Sequence, residues 1–354
     1  MKTAFGILVG TSLLAGSAME QSNVTIYGII DGGIVHESGG PAGSVTKLGS
    51  GIESGSRLGF RGREDLGGGM AASFVLENGM NIDTGTAGQG GLLFGRQAFV
   101  SLDTNAGSVS FGRQYTPIFG AVTAIDPFFG AGLAGSGNNM LSEHGIRMNN
   151  TVKYGLPKGA ISGELAYGAG EQPGDSSARR SVGALLGYTQ GPLALRVAYQ
   201  RTNNIPGASV AADSGRTTMV GGTYDFRVFK AHLGFQTNKG LITINGRYIA
   251  GTDSRDLLVG ATVPVGINTL TASYTRKDDR SGPNRDATQY ALGFTHPLSK
   301  RTDLYASVAR IRNDAAPGTA RFYTVGNGSD TAAATRRTTW ASGISSESVH
   351  SSPA

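Results

Sequence analysis

Past its first residues, this chain has no run approaching the ~18 apolar residues a membrane-spanning helix needs, yet fifteen short segments alternate apolar and polar residues with a period of two. The segment 56–64 shows the pattern: Arg57, Arg61 and Arg63 share one parity, while Leu58 and Phe60 take the other. In the segment 193–201, Leu193, Leu195, Val197 and Tyr199 oppose Ala194, Arg196, Ala198 and Gln200. Successive side chains of a strand point to opposite faces, so each segment presents one wet and one apolar surface. Long connections (36–54, 79–91, 115–147, 278–286) alternate with short ones (65–69, 103–106, 297–301). That rhythm belongs to barrels that cross an outer membrane, with short turns on the periplasmic side and longer loops outside. An even ring needs a sixteenth strand, expected over about 335–344, whereas 240–252 reads equally as extra strand or structured loop. The pattern predicts an all-β fold: a 16-stranded antiparallel transmembrane β-barrel, the form open to a chain that enters lipid without spanning helices.

Length and composition agree. At 354 residues the chain exceeds the roughly 250–300 of a single soluble core, but no linker or charge block divides it. Its 56 glycines and 16% charged residues are unusual for a soluble domain. The net charge of +6 is spread without a dense Lys/Arg run, which argues against nucleic acid as a partner. There is no cysteine, which excludes disulfides and thiolate chemistry. Lys2, the apolar stretch 4–15 and small residues up to Ala18 form an export signal, expected to be cleaved after Ala18. The expected organisation is therefore a signal at 1–18, a barrel at 19–344 and a polar tail at 345–354.

The stretch 115–147 carries neither periodicity and contains Asp126-Pro127-Phe128-Phe129-Gly130. A structureless segment this long inside a compact fold is usually functional. It is expected to fold into the barrel as its third external loop and to narrow a water-filled hole, which makes the chain a channel. Arg57, Arg61 and Arg63 on one face repel unless water or counter-anions screen them, and charged rings at a constriction set ion selectivity. Asp126 and Glu143 are the candidates for an opposing acidic wall, with Phe128 and Phe129 at the loop tip. Lys153 and Arg196 have the parity for lining the lumen. The histidines are scattered without ligand spacing, and no nucleophile–base set is present, so neither a metal, a cofactor nor an enzymatic activity is expected. The alternative from another class is a secreted or surface-exposed all-β binding or adhesion protein, which would bury Leu, Ile and Val on the inner faces of both its sheets.

Several segments carry a resemblance. Val24-Thr25-Ile26-Tyr27-Gly28, Ser54 to Gly62, Glu64 to Gly69, Phe94 to Val100, Phe111 to Tyr115 and Leu298 to Tyr305 resemble the Gram-negative general porins of the beta-proteobacterial type. The resemblance covers about residues 1–325. It implies homotrimers in the bacterial outer membrane, contact with outer-membrane lipid and lipopolysaccharide, and passive passage of small hydrophilic solutes with a mild anion preference. In anion-selective members an arginine cluster faces the inserted loop, and the matching positions here are Arg57, Arg96 and Arg147. Arg96 shares the parity of Ala98, Val100 and Leu102, the apolar face, so either a bulge resets the register or Arg96 sits above the lipid band in a structural role. The family pattern closes on a strand ending in an aromatic residue, read by the barrel-insertion machinery. The chain departs from it, running polar from Ser345 to Ala354.

Overall fold

The computed structural model describes residues 23–351 except 41–42, 143, 158, 205–213, 245–246, 283, 316–322 and 327–335. The expected export signal and Glu143 lie outside these residues. In chain order the strands are β1 (Asn23–Gly40), β2 (Gly43–Ser50), β3 (Arg57–Gly67), β4 (Met70–Asn81), β5 (Thr86–Ala87) and β6 (Gln97–Thr104). They continue with β7 (Gly107–Tyr115), β8 (Arg147–Gly155), β9 (Ile161–Gly168), β10 (Ser181–Gln190), β11 (Leu193–Asn203) and β12 (Ser214–Asp225). The last six are β13 (Lys230–Ile244), β14 (Arg247–Val265), β15 (Asn268–Asp279), β16 (Arg285–Pro297), β17 (Thr302–Ala315) and β18 (Arg336–Ser351).

Each barrel strand pairs antiparallel with its neighbours, and β18 returns to β1 over Thr25↔Ser351 to Ser38↔Thr338. The ring is closed. β2 and β3 occupy one place in it, pairing with the upper and lower halves of β1, and β5 only extends the tip of β4. Sixteen places remain. Closure leaves no edge, so backbone N–H and C=O groups find partners without water.

Two expectations change. The segment 240–252 is the end of the long β13–β14 hairpin, paired strand to strand across a bulge at Gly240/Ile242. The last strand runs past Ile344 to Ser351, so most of the polar tail is paired backbone. Pairing uses main-chain groups and does not require the side-chain alternation that the tail lacks. On the preceding part of β18 the outward Trp340 stacks on His36 of β1 at 5.3 Å.

The outward parity is an exposed apolar belt: Val24, Ile26, Ile30 and Ile34 on β1, and Leu195, Val197 and Tyr199 on β11, are each 38–48% exposed. The opposite face carries buried polar side chains, among them Gln200, Thr217, Gln236, Thr275 and Gln289. A secreted binding protein would show the reverse, with its aliphatic rows buried. The short turns stand at one end, as at Gly67, Gly68 and Gly69, whose φ values of 76°, 62° and 80° are available to glycine at little cost.

The segment between β7 and β8 crosses to the face opposite the apolar belt. The helix Pro117–Ile125 is capped by Thr116, whose hydroxyl accepts from the Phe119 N–H, with proline in its first turn. The helix packs on β10, β11 and β12. The chain then runs on to Ser136, which bonds Thr275 of β15, and Asn139, which bonds Gln289 of β16. Glycines make the approach possible. A Cβ would stand 2.9 Å from Pro117 at Gly183, 2.6 Å from Pro127 at Gly260 and 2.7 Å from the Phe128 ring at Gly293. Gly132 and Leu133 close against the break between β2 and β3, where Leu133 N–H donates to the Ile52 carbonyl at 2.7 Å.

Candidate functional site: a basic wall at four strand ends

Three arginines distant in sequence meet where β3, β6 and β8 start and β7 ends. The Arg96 Nε donates to Glu77 Oε1 at 2.7 Å, and its Nη2 donates to the Tyr115 hydroxyl at 2.8 Å. Arg147 Nη2 reaches the same hydroxyl at 3.3 Å, with its guanidinium 4.8 Å over the Tyr115 ring. Arg57 is held by the Gly55 carbonyl and the Ser54 hydroxyl, at 2.9 and 2.8 Å. The charges of Arg57 and Arg96 act on each other, as do those of Arg96 and Arg147. One carboxylate, Glu77, serves this group, and Tyr27 donates to its second oxygen at 2.9 Å. Among the described residues neither Arg57 nor Arg147 has an ion-pair partner, and the Arg147 Nε has no hydrogen-bond acceptor. Counted over the described residues, the wall therefore carries net positive charge.

Arg96 joins it because β6 begins only at Gln97. The alternation that set Arg96 on the apolar parity does not extend back to it. Arg61 lies four residues along β3 from Arg57, about 13 Å away, stacked over Tyr27 at 5.4 Å. Arg63 is a correction. It sits near the short turn, about 20 Å from Arg57 along the strand, and is paired with Asp103 at 2.6 Å. Lys153 is neutralised by Glu164 at 3.1 Å and anchors the start of the packed segment through the Tyr115 carbonyl at 2.7 Å. Arg196 has the inward parity but lies at the short-turn end, donating to the Tyr188 carbonyl and the Thr189 hydroxyl.

The acidic wall is not built as expected. Asp126 is 2% exposed, and its two oxygens accept from the Phe128 and Gly137 N–H groups at 2.9 and 3.0 Å. It staples the segment to itself, and burial pushes its carboxyl up to about 6 despite those bonds. Phe128 packs on Gly293, while Phe129 is 75% exposed with φ at 55°, a conformation unusual for an aromatic residue.

The carboxyl that does face water is Glu53, in the break between β2 and β3. It is exposed and accepts from the Thr295 hydroxyl at 3.1 Å. Removing one acidic group from a wet pore is expected to raise anion preference by roughly two- to fivefold in permeability ratio. Reversal potentials of the Glu53→Gln variant in a KCl gradient check this, and a ratio unchanged from that of the unaltered channel places Glu53 outside the ion path.

Sequence reasoning missed Glu77, Tyr115, Glu53 and Asp31. Glu77 and Tyr115 carry no local signal, because only the pairing of β4 with β6 and of β7 with β8 brings them to the arginines. Asp31 showed only an inward parity within an apolar strand.

Comparison with known proteins accords with this geometry. The Gram-negative porin profile matches residues 5–316. The chain is 33% identical over 324 residues to outer membrane porin protein 32 of Delftia acidovorans, covering 86% of this chain and 89% of that protein. It is 31% identical over 379 residues to an outer membrane porin of Bordetella pertussis, covering 91% of this chain and 98% of that one. Among solved structures, an anion-selective porin from Comamonas acidovorans superposes with a TM-score of 0.78 at 30% identity, over 93% of this chain and all of the other. The closed sixteen-place ring, its outward apolar belt and these relatives together place the chain in the Gram-negative porin family, as a barrel of the bacterial outer membrane.

Proposed function

We propose that the chain forms a passive, water-filled channel with a mild preference for small anions, and that Arg57, Arg96 and Arg147 set that preference. The carrying observation is the imbalance at the wall: among the described residues, three guanidinium groups stand together with one carboxylate, Glu77, which pairs with Arg96. On this reading the segment 116–146 is the inward-folded third loop, lying in the lumen opposite the arginines, with the exposed Phe129 at its tip. Its packing on the inward-parity glycines of β10, β14 and β16 supports this. A transverse field follows, because positive charge lines one side while the loop offers mostly apolar surface. Small hydrophilic solutes pass without a chemical step.

Residues 1–18 are proposed as the export signal, and the partners as two further copies of the chain, lipopolysaccharide and the barrel-insertion machinery. Membership of the porin family and the apolar outer face of β1 favour association in the outer membrane.

Single-channel recording in a planar bilayer under a KCl gradient tests the reading. Stepwise conductance with a reversal potential of anion-selective sign is expected. A cation-selective sign overturns the role of the arginine wall. A heat-resistant folded form that does not conduct overturns the channel itself.

A further inference from the structure

A recess on the inward face stands apart from the arginine wall, nearer the short turns. It measures about 440 Å³, within the range of small-molecule sites, and lies between the strands β4 and β6–β9 and the start of the packed segment at Thr116 and Gly120. Register builds it. Arg63, Ser73, Ser101, Ser110 and Lys153 form one inward row across β3, β4, β6, β7 and β8, each opposite the next. Two residues along, Val75 stands opposite Phe99, and Gly112 follows on β7. The recess therefore has a hydroxyl half and an apolar half, about 7 Å apart along the strands. Among the described residues no second ring and no cation lies over Phe99. Gly112 has no side chain to cover it.

The hydrogens of the hydroxyl row are committed to the protein. Ser73 and Ser101 donate to the two oxygens of Asp103 at 3.0 and 2.9 Å, and Ser110 donates to Gln114 Oε1 at 2.7 Å. The cations at the ends of the row are also turned to acceptors. Arg63 binds Asp103 at 2.6 Å, and Lys153 binds the Tyr115 carbonyl at 2.7 Å and Glu164 Oε2 at 3.1 Å. Arg61, opposite Val75, lies over the Tyr27 ring. The Gln114 amide nitrogen has no acceptor among the described residues but is buried beneath the surface. What this row offers a solute is oxygen lone pairs, on the three hydroxyls and on Glu164 Oε1.

We infer that the recess binds a primary ammonium compound carrying an aromatic or other apolar group. An ammonium has three donors and no acceptor, the complement of a row that only accepts. Its apolar body covers Val75 and Phe99, whose ring face attracts a cation. An anion meets lone pairs there, and a neutral polyol leaves its own acceptors unmatched, each at a cost. Arg63 and Lys153 balance Asp103 and Glu164, so the pattern of acceptors selects the ligand rather than a surplus of negative charge. The recess lies on the short-turn side of the arginine wall, so an ammonium reaches it from that side without passing the wall. The inference rests on the inward face being the wet lumen and is independent of which ion the wall prefers.

The test uses the folded full-length protein in nonionic detergent micelles, titrated with 2-phenylethylammonium chloride and followed by saturation-transfer NMR of the probe. Saturable binding is expected. Ser101→Ala/Ser110→Ala removes two acceptors for a charged donor and should weaken it about tenfold or more. Phe99→Leu keeps the apolar volume but not the ring and should weaken it about two- to fivefold. Should the serine variant not fold, the leucine variant carries the test. Phenylacetate and 2-phenylethanol, of similar shape, should bind at least tenfold more weakly to the unaltered protein. Phenylacetate binding as tightly as the ammonium overturns the proposal and makes the recess a site for anions. Equal binding of 2-phenylethanol reduces it to an apolar pocket, and unchanged affinity in both folded variants places the probe elsewhere. Binding is read without current, so a channel of cation-selective sign overturns the role of the arginine wall and leaves this site standing.

Discussion

Replacing Arg57 and Arg147 together with alanine is expected to abolish the anion preference of the open channel while leaving the barrel folded. These two carry the uncompensated charge of the wall, since Arg96 is held by Glu77 at 2.7 Å. A unit charge about 4 Å from a permeating anion is worth about 1 kcal/mol in bulk water and about 4 kcal/mol at the lower effective dielectric near a protein surface. A pore mouth lies between those limits and is screened by salt. Losing two such charges therefore removes on the order of 1–2 kcal/mol of anion stabilisation, close to tenfold in permeability ratio. The reversal potential in a KCl gradient should approach zero or change sign. Arg63→Ala, on a residue paired with Asp103 near the short turn, is expected to leave it in place and serves as the control. Arg96→Ala is a poorer probe, because it also leaves the buried Glu77 carboxylate without its ion pair. A double variant with undiminished anion preference would falsify the role given to the wall.

How much of this was legible beforehand differs between barrel and site. Period-two alternation is a local property, repeated at every strand, so the ring and its two faces could be read from rows such as Leu195, Val197 and Tyr199. Arg57 was legible for the same reason, being inside a clean strand. Arg96 was not, because strand boundaries cannot be placed to the residue by alternation, and a one-residue difference reverses the face. Asp126 misled differently. An acid in a loop reads as solvated, and only the packed segment shows it turned inward onto the Phe128 and Gly137 N–H groups. Glu53 was hidden because nothing in a Gly/Ser-rich connection indicates that it breaks a barrel strand and turns toward the lumen side.

Asp31→Ala is expected to be the most damaging single substitution for stability, although its side chain touches no solute. Asp31 is fully buried on β1. One carboxylate oxygen accepts from the Ile52 N–H at 3.0 Å and the Tyr305 hydroxyl at 2.6 Å. The other accepts from the N–H groups of Glu53 and Ser54 at 3.0 and 2.7 Å. These four bonds hold the break between β2 and β3, the place from which Glu53 and Arg57 emerge and on which Leu133 rests. Without the carboxylate, three backbone donors and a hydroxyl lose their acceptor in a site largely closed to water. Each buried orphan costs about 1–3 kcal/mol, and partial relaxation of the turn brings the expected total to roughly 3–5 kcal/mol. Asp31→Asn keeps one acceptor but turns an amide donor toward backbone donors, so it should lose a large part of this as well. Urea titration of the folded, heat-modifiable form in detergent measures the difference. The variant that does fold should also show noisy, flickering conductance, since the same turn positions Arg57 and supports the segment at Leu133. A loss below about 1 kcal/mol with a quiet channel would mean that the break is held by its neighbours, and that Asp31 contributes only one of many equivalent contacts.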